Sequence, residues 1–146
     1  VGYFGRSQGG GIGMMLAALT PVFTRALFCQ PAMTDLLAGR AGRRSGWPSP
    51  VERARPGDRE AVAFTASYYD AGHFASRVIC ESRVLIGFAD DTCPPPCVYA
   101  AYNQLRGPKT ILHDVGVPHS APPSYLQNQA WLLDLPARAT DRKAGL

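Results

Sequence analysis

"VGYFGRSQGGGIGMM", residues 1–15, reads as a short strand, a tight turn and the start of a helix arranged around one serine. Val1–Phe4 is an apolar run, and from Gly9 to Leu19 the chain is rich in Met, Leu and Ala. Between them, Gly5-Arg6-Ser7-Gln8-Gly9 fits the G-x-S-x-G pattern of a nucleophile elbow. Such an elbow holds a serine on a strained strand-to-helix turn, so the positions around it must lack bulk. Two phosphate-binding readings of the same glycines fail. The dinucleotide fingerprint G-x-G-x-x-G would need a glycine where Met14 or Leu16 stands, and the chain has no Gly-Lys pair for a Walker A loop. A plain glycine-rich turn without chemistry remains the alternative, and the rest of the sequence bears on it.

Three more apolar runs follow, at 25–29 (RALFC), 82–88 (SRVLIGF) and 109–115 (KTILHDV). The third run of the chain is apolar at Val84, Leu85, Ile86 and again at Phe88, as in strands buried on both faces of a parallel sheet. Helical patterns lie between and after them. Val98, Ala101, Tyr102 and Leu105 recur on one helix face within 95–106, and Leu126, Ala130 and Leu133 within 124–135. Strand and helix in alternation imply right-handed crossovers and an α/β layered fold. One interval, about 32–79, is too long for a simple crossover. Its first part is rich in Arg, Pro and Gly, its second, "DREAVAFTASYYDAGHFASRV", is expected to be helical, and insertions of this kind often cap a site. No linker or repeat divides the chain, so one domain is expected over 1–146.

Composition narrows the function classes. The chain has 146 residues, 46% of them hydrophobic, enough for one sizeable core. No apolar run approaches the ~20 residues that span a bilayer, and the start lacks the basic region of a signal peptide. The net charge of +4 rests on 13 Arg and two Lys, with six of the Arg between 40 and 59. They are interleaved with Pro, Gly and acids and accompany no recognition motif, which favours a solvated surface loop over a nucleic-acid patch. Cys29, Cys80, Cys93 and Cys97 show no CxxC pairing or histidine at zinc-ligand spacing, so neither a metal site nor a disulfide framework is expected.

A serine nucleophile needs a base and an acid that orients it. In α/β-hydrolases these follow in the order Ser, Asp or Glu, His, each in a loop after a strand. Asp90 and Asp91 stand directly after the strand "RVLIGFA", and His119 follows "TILHDV" after the short loop "GVP". His113 lies inside its strand and His73 precedes the acid, so both read as packing or surface histidines.

The segments "GRSQGGG" (5–11), "FTASYYDAGHFASRV" (64–78), "GFADDTCPPPCVYAAYNQL" (87–105) and the late "PH" (118–119) carry a closer likeness. Over about Val1 to Leu133 the chain resembles the carboxy-terminal half of the acetyl xylan esterase and cephalosporin-C deacetylase family of α/β-hydrolases. The resemblance implies Ser7 as nucleophile, Asp90 as the triad acid, His119 as base and the Gln8 N–H as an oxyanion donor. Asp90 is preferred to Asp91 because it takes the family's acid position, three residues before Cys93-Pro94-Pro95. Two departures stand out. Ser120 follows the histidine where the family usually has an acid, and the family's arginine-glycine-glutamine motif, early strands and second oxyanion loop have no counterpart here.

The expectation is therefore the carboxy-terminal portion of an α/β-hydrolase, with about four mostly parallel strands flanked by helices. Its function would be removal of acetyl groups from sugar or other small alcohol esters through Ser7, Asp90 and His119, with no metal or organic cofactor. The partner would be a small acetylated substrate rather than nucleic acid or membrane, and the resemblance implies a homo-oligomer for the full-length protein. Open alternatives are a dienelactone-type hydrolase, a prolyl-oligopeptidase-like peptidase, or a catalytically silent fragment.

Overall fold

The computed structural model describes residues 1–120 and 122–133. Four strands form one sheet in the order β1 (Gly2–Arg6), β2 (Arg25–Cys29), β3 (Glu81–Gly87) and β4 (Lys109–Asp114). Every neighbouring pair is parallel, with Phe4 beside Leu27, Leu27 beside Arg83 and Val84 beside Ile111. The helices are α1 (Gln8–Leu19), α2 (Pro50–Arg53), α3 (Arg59–Ser67), α4 (Ala71–Ala75), α5 (Pro95–Gln104) and α6 (Tyr125–Leu132). The helix expected over 124–135 thus occupies Tyr125–Leu132, and the end of that expected span lies outside the described residues.

Period-two alternation in the strands explains the layers. Ala26, Phe28, Val84 and Ile86 point to one face, where Met14 and Ala17 of α1, Ala71 and Ala75 of α4, and Val98 and Ala101 of α5 cover them. Leu27, Cys29 and Leu85 point to the other face, against Tyr125, Trp131 and Leu132 of α6. Because both faces are covered, β2 and β3 carry apolar residues at consecutive positions, which is the pattern legible in the sequence. Small residues on α1, α4 and α5 let those helices approach the sheet closely. On the opposite face Arg83 stacks its guanidinium 4.2 Å from the Trp131 ring and donates to Asn128 at 2.9 Å, holding α6 in place.

The long interval between β2 and β3 divides its work. Helix α4 packs against α1 and α5 and serves as the crossover helix. The stretch expected to be helical from 58 to 78 is broken at Tyr68–Asp70, because Asp70 caps α4. Its buried carboxylate accepts from the Gly72 N–H at 2.8 Å and also from the amides of Asp35 (3.0 Å) and Leu36 (2.7 Å). The Arg/Pro/Gly stretch contains two 3₁₀ turns (Ala38–Ala41 and Pro56–Asp58) and the single-turn α2. It is tied down by Met33 N–H to Trp47 O (2.8 Å) and Trp47 N–H to Thr92 O (2.9 Å). Arg40, Arg43 and Arg44 each pair with a carboxylate, of Glu60, Asp35 and Asp91, so part of the basic charge is answered locally.

Phe28 is the largest fully buried side chain among the described residues, on the face covered by α1, α4 and α5. Phe28→Ala should lower unfolding free energy by about 3–5 kcal/mol, read from urea denaturation. A loss below about 1 kcal/mol would place the core elsewhere.

Candidate active site

The parallel strands end within two residues of one another, so the turns after β1, β3 and β4 meet at one edge of the sheet. Ser7 follows β1 and precedes α1, with φ 52° and ψ −121°, a left-handed conformation unusual for a residue with a side chain. Its backbone is fixed from several sides. The Ser7 N–H donates to Cys29 O at 2.9 Å, and Ser7 O accepts from Gly10, Gly11 and Ala32. A Cβ at Gly5 would overlap the Gly9 carbonyl, and one at Gly11 would overlap the Ala32 carbonyl. Gly9 itself meets nothing within 4 Å, so the crowding expected at both motif glycines falls instead on Gly5 and Gly11. The Gln8 N–H stands in the first turn of α1, where helix amides lack an intrahelical acceptor and favour negative charge.

Asp90 is buried in the turn after β3. One carboxylate oxygen accepts from the amides of Thr92 (2.9 Å) and Cys93 (2.8 Å), and the other lies 2.8 Å from His119 Nδ1. Asp91 turns outward to within 3.6 Å of Arg44 and stands apart. His119 Nε2 lies 2.9 Å from Ser7 Oγ. An ionised carboxylate only accepts, so it selects the tautomer with the proton on Nδ1 and leaves Nε2 to accept from the serine hydroxyl. The Asp90 side chain is fully buried and the His119 ring only partly exposed, so the chain of hydrogen bonds opens to solvent at its serine end. His73 bonds the Ser67 carbonyl, and His113 bonds the Tyr99 hydroxyl, both away from Ser7.

Three neighbours of this cluster were not legible as such in the sequence. Cys93 comes beside Ser7, and burial first, then the Asp90 charge, pushes its thiol up to about 12. Arg6 Nη2 donates to the His119 carbonyl at 3.2 Å, and Gln30 Nε2 donates to the Pro118 carbonyl at 2.7 Å. Only the D-x-x-C spacing hinted at the first. Asp90, Cys93 and His119 also bring one donor atom each within 4.8 Å of one another, a grouping that could hold a metal ion. An ion there would compete directly with the hydrogen bonds from His119 to Asp90 and Ser7.

The chain is similar to several known proteins. The acetyl xylan esterase (AXE1) family pattern matches residues 51–134, a segment that holds Asp90 and His119 and begins after Ser7. Acetyl esterase Axe7A of Xylanibacter ruminicola is 32% identical over 108 residues, covering 74% of this chain and 24% of that protein. An acetyl xylan esterase from Paenibacillus sp. R4 superposes with a TM-score of 0.76 at 29% identity, covering 91% of this chain and 44% of its own. Acetyl xylan esterase 1 from Thermoanaerobacterium sp. JW/SL YS485 shares the fold, with a TM-score of 0.80 at 24% identity and the same two coverages, 91% and 44%. The chain thus spans less than half the length of these relatives. Since the matched segment takes up more than half of it, the chain belongs to the acetyl xylan esterase family, on an α/β-hydrolase fold.

Proposed function

We propose that this chain carries the Ser-His-Asp machinery of a serine esterase that removes acetyl groups from sugars or other small alcohols. The observation that carries the reading is the unbroken run from Asp90 Oδ2 through the His119 ring to Ser7 Oγ, with both contacts under 3 Å. The names of the relatives, acetyl esterase and acetyl xylan esterase, support an acetylated carbohydrate as the substrate class.

In this reading Ser7 Oγ attacks the ester carbonyl as its proton passes to His119 Nε2. The carbonyl oxygen gains negative charge and is received by the Gln8 N–H; one such donor is commonly worth about 10²–10³ in turnover. Collapse breaks the bond to the alcohol, which takes the proton from Nε2 and leaves the acetyl group on Ser7. Water then attacks, giving its proton to His119, and acetate departs as the serine is re-formed. Asp90 stays ionised throughout, holding the ring and stabilising its charged form. Within residues 32–79, the stretch before the crossover helix α4 acts as the cap of the site, since Trp47 reaches the acid loop through Thr92.

A thiol beside the histidine raises a rival nucleophile, Cys93. Its environment argues against it, because a catalytic thiol is activated by a lowered pKa and this one is pushed up to about 12 by burial and by Asp90.

p-Nitrophenyl acetate hydrolysis by this chain should fall by about 10³-fold or more in Ser7→Ala. Equal rates in the two proteins would mean that the chain is catalytically silent. Cys93→Ala should stay within about tenfold of the parent rate, and iodoacetamide at about pH 8 should leave Cys93 unmodified until the chain is unfolded. Rapid labelling of Cys93 in the folded protein, or loss of hydrolysis in Cys93→Ala with Ser7→Ala still active, would reverse the assignment.

A further inference from the structure

His119 is held by a loop, and the site needs its ring to satisfy two hydrogen bonds at once, to a carboxylate on one side and a hydroxyl on the other. Sites of this kind depend on how rigidly the residue bearing the ring is supported. The loop offers little support of its own there. Val115 is exposed, Gly116 is left-handed at φ 76°, and Pro118 has no N–H to donate. Among the described residues, the last backbone bond reaching the loop from another segment before the histidine is the Ala89 N–H to Val117 O bond of 3.1 Å.

At the next two carbonyls two side chains reach in, Pro118 O also accepting from the Ser120 N–H at 2.7 Å. Gln30 Nε2, from the residue after β2, donates to Pro118 O at 2.7 Å. Arg6 Nη2, from the last residue of β1, donates to His119 O at 3.2 Å. Gly87, at the end of β3, completes the seat: a Cβ there would lie 2.8 Å from Gln30 Nε2 and 3.2 Å from Pro118 O. Three strand ends thus grip two consecutive peptide units of the histidine loop.

Gln30 is an unfavourable residue for its place if stability were its only role. It is fully buried, its φ is 45°, and its Oε1 has no hydrogen-bond partner among the described residues. Left-handed backbone at a residue with a side chain and an unpaired buried oxygen both oppose folding. Such features collect where a function over-determines the geometry. The side-chain hydrogen bond that Gln30 makes in return is the one to the carbonyl preceding His119.

We propose that Gln30 and Arg6 are positioning residues, a two-point clamp on the Pro118 and His119 carbonyls that keeps the imidazole between Asp90 and Ser7. The proposal rests on the esterase reading for its catalytic meaning, while the clamp itself is a statement about the histidine. Gln30→Met separates positioning from stability. It keeps the length of the side chain and removes the unpaired Oε1, and Pro118 O retains the Ser120 N–H at 2.7 Å. The variant should therefore melt no lower than the parent, yet hold its histidine less well.

Two readouts on the 146-residue chain test this. In an imidazole proton–nitrogen NMR spectrum, the His119 Nδ1 proton hydrogen-bonded to Asp90 should be sharp and far downfield in the parent and in Ser7→Ala. It should be broadened or lost in Gln30→Met and in Arg6→Met, and recovered in Arg6→Lys, which restores one donor. The rate at which a fluorophosphonate probe labels Ser7 should fall about 10- to 100-fold in Gln30→Met, the scale expected of a displaced catalytic group. A Gln30→Met chain with the parent's imidazole spectrum and labelling rate overturns the proposal. A Gln30→Met chain that fails to fold overturns the positioning role of Gln30, and Arg6→Met, a change at an exposed side chain, then decides whether the Arg6 contact positions the ring. If the parent is not labelled but its imidazole signal still depends on Gln30 and Arg6, the clamp stands and the nucleophile reading falls.

Discussion

Parallel pairing in register is the constraint from which the rest follows. Four strands that run the same way and end within two residues of one another deliver their outgoing turns to one edge, so residues 7, 90 and 119 become neighbours without any contact in sequence. The sheet can be parallel only because both of its faces are covered. Ala26, Phe28, Val84 and Ile86 are buried under α1, α4 and α5, and Leu27, Cys29 and Leu85 under α6. Core burial and the geometry of the site are therefore two consequences of one arrangement, with the apolar alternation fixing which way each strand faces.

Two of the five non-glycine residues with positive φ among the described residues sit at that same edge. Ser7 and Gln30 both follow strands, both have positive φ, and each donates its backbone N–H to the last or a late residue of the neighbouring strand, Cys29 and Leu85. The chain leaves the sheet through these residues in a sharp turn rather than a gradual one. At Ser7 the turn lifts the hydroxyl out toward His119; at Gln30 it sends the amide down to the loop that bears His119. The acid is held differently, by its own turn, since Asp90 accepts from the amides of Thr92 and Cys93 while keeping its other oxygen for the ring. That arrangement gives the D-x-x-C segment a physical reason: the spacing lets the Cys93 amide reach back to the carboxylate.

Much of this was legible in the residues, because strands and helices declare themselves locally. The four apolar runs fall on the four strands, although β1 extends through Gly5 and Arg6 where the apolar run stops at Phe4. The order Ser, Asp, His in successive loops can be read from the residues, while the preference for Asp90 over Asp91 comes from the family resemblance. The expected single helical stretch before β3 missed its break, since the role of Asp70 as a cap depends on Asp35 and Leu36, more than thirty residues away. Arg6 and Gln30 left no signal at all. Arg6 occupies the free position of the elbow motif, and each reaches a backbone carbonyl 113 or 88 residues distant, a contact that no local pattern encodes. The crowding that demands glycine was likewise misplaced by two residues, from Gly9 to Gly11, because the obstructing Ala32 carbonyl belongs to the segment after β2.

A serine nucleophile at Ser7 must become acetylated during turnover. This is tested most directly by mixing the chain with an excess of p-nitrophenyl acetate, quenching in acid within the first turnovers, and locating added mass by peptide mass spectrometry. One acetyl group is expected on the peptide that contains Ser7, accumulating further in a His119→Ala chain only as slowly as attack without a base allows. Acetyl found on Cys93 or on a lysine, with the Ser7 peptide unmodified, would contradict it.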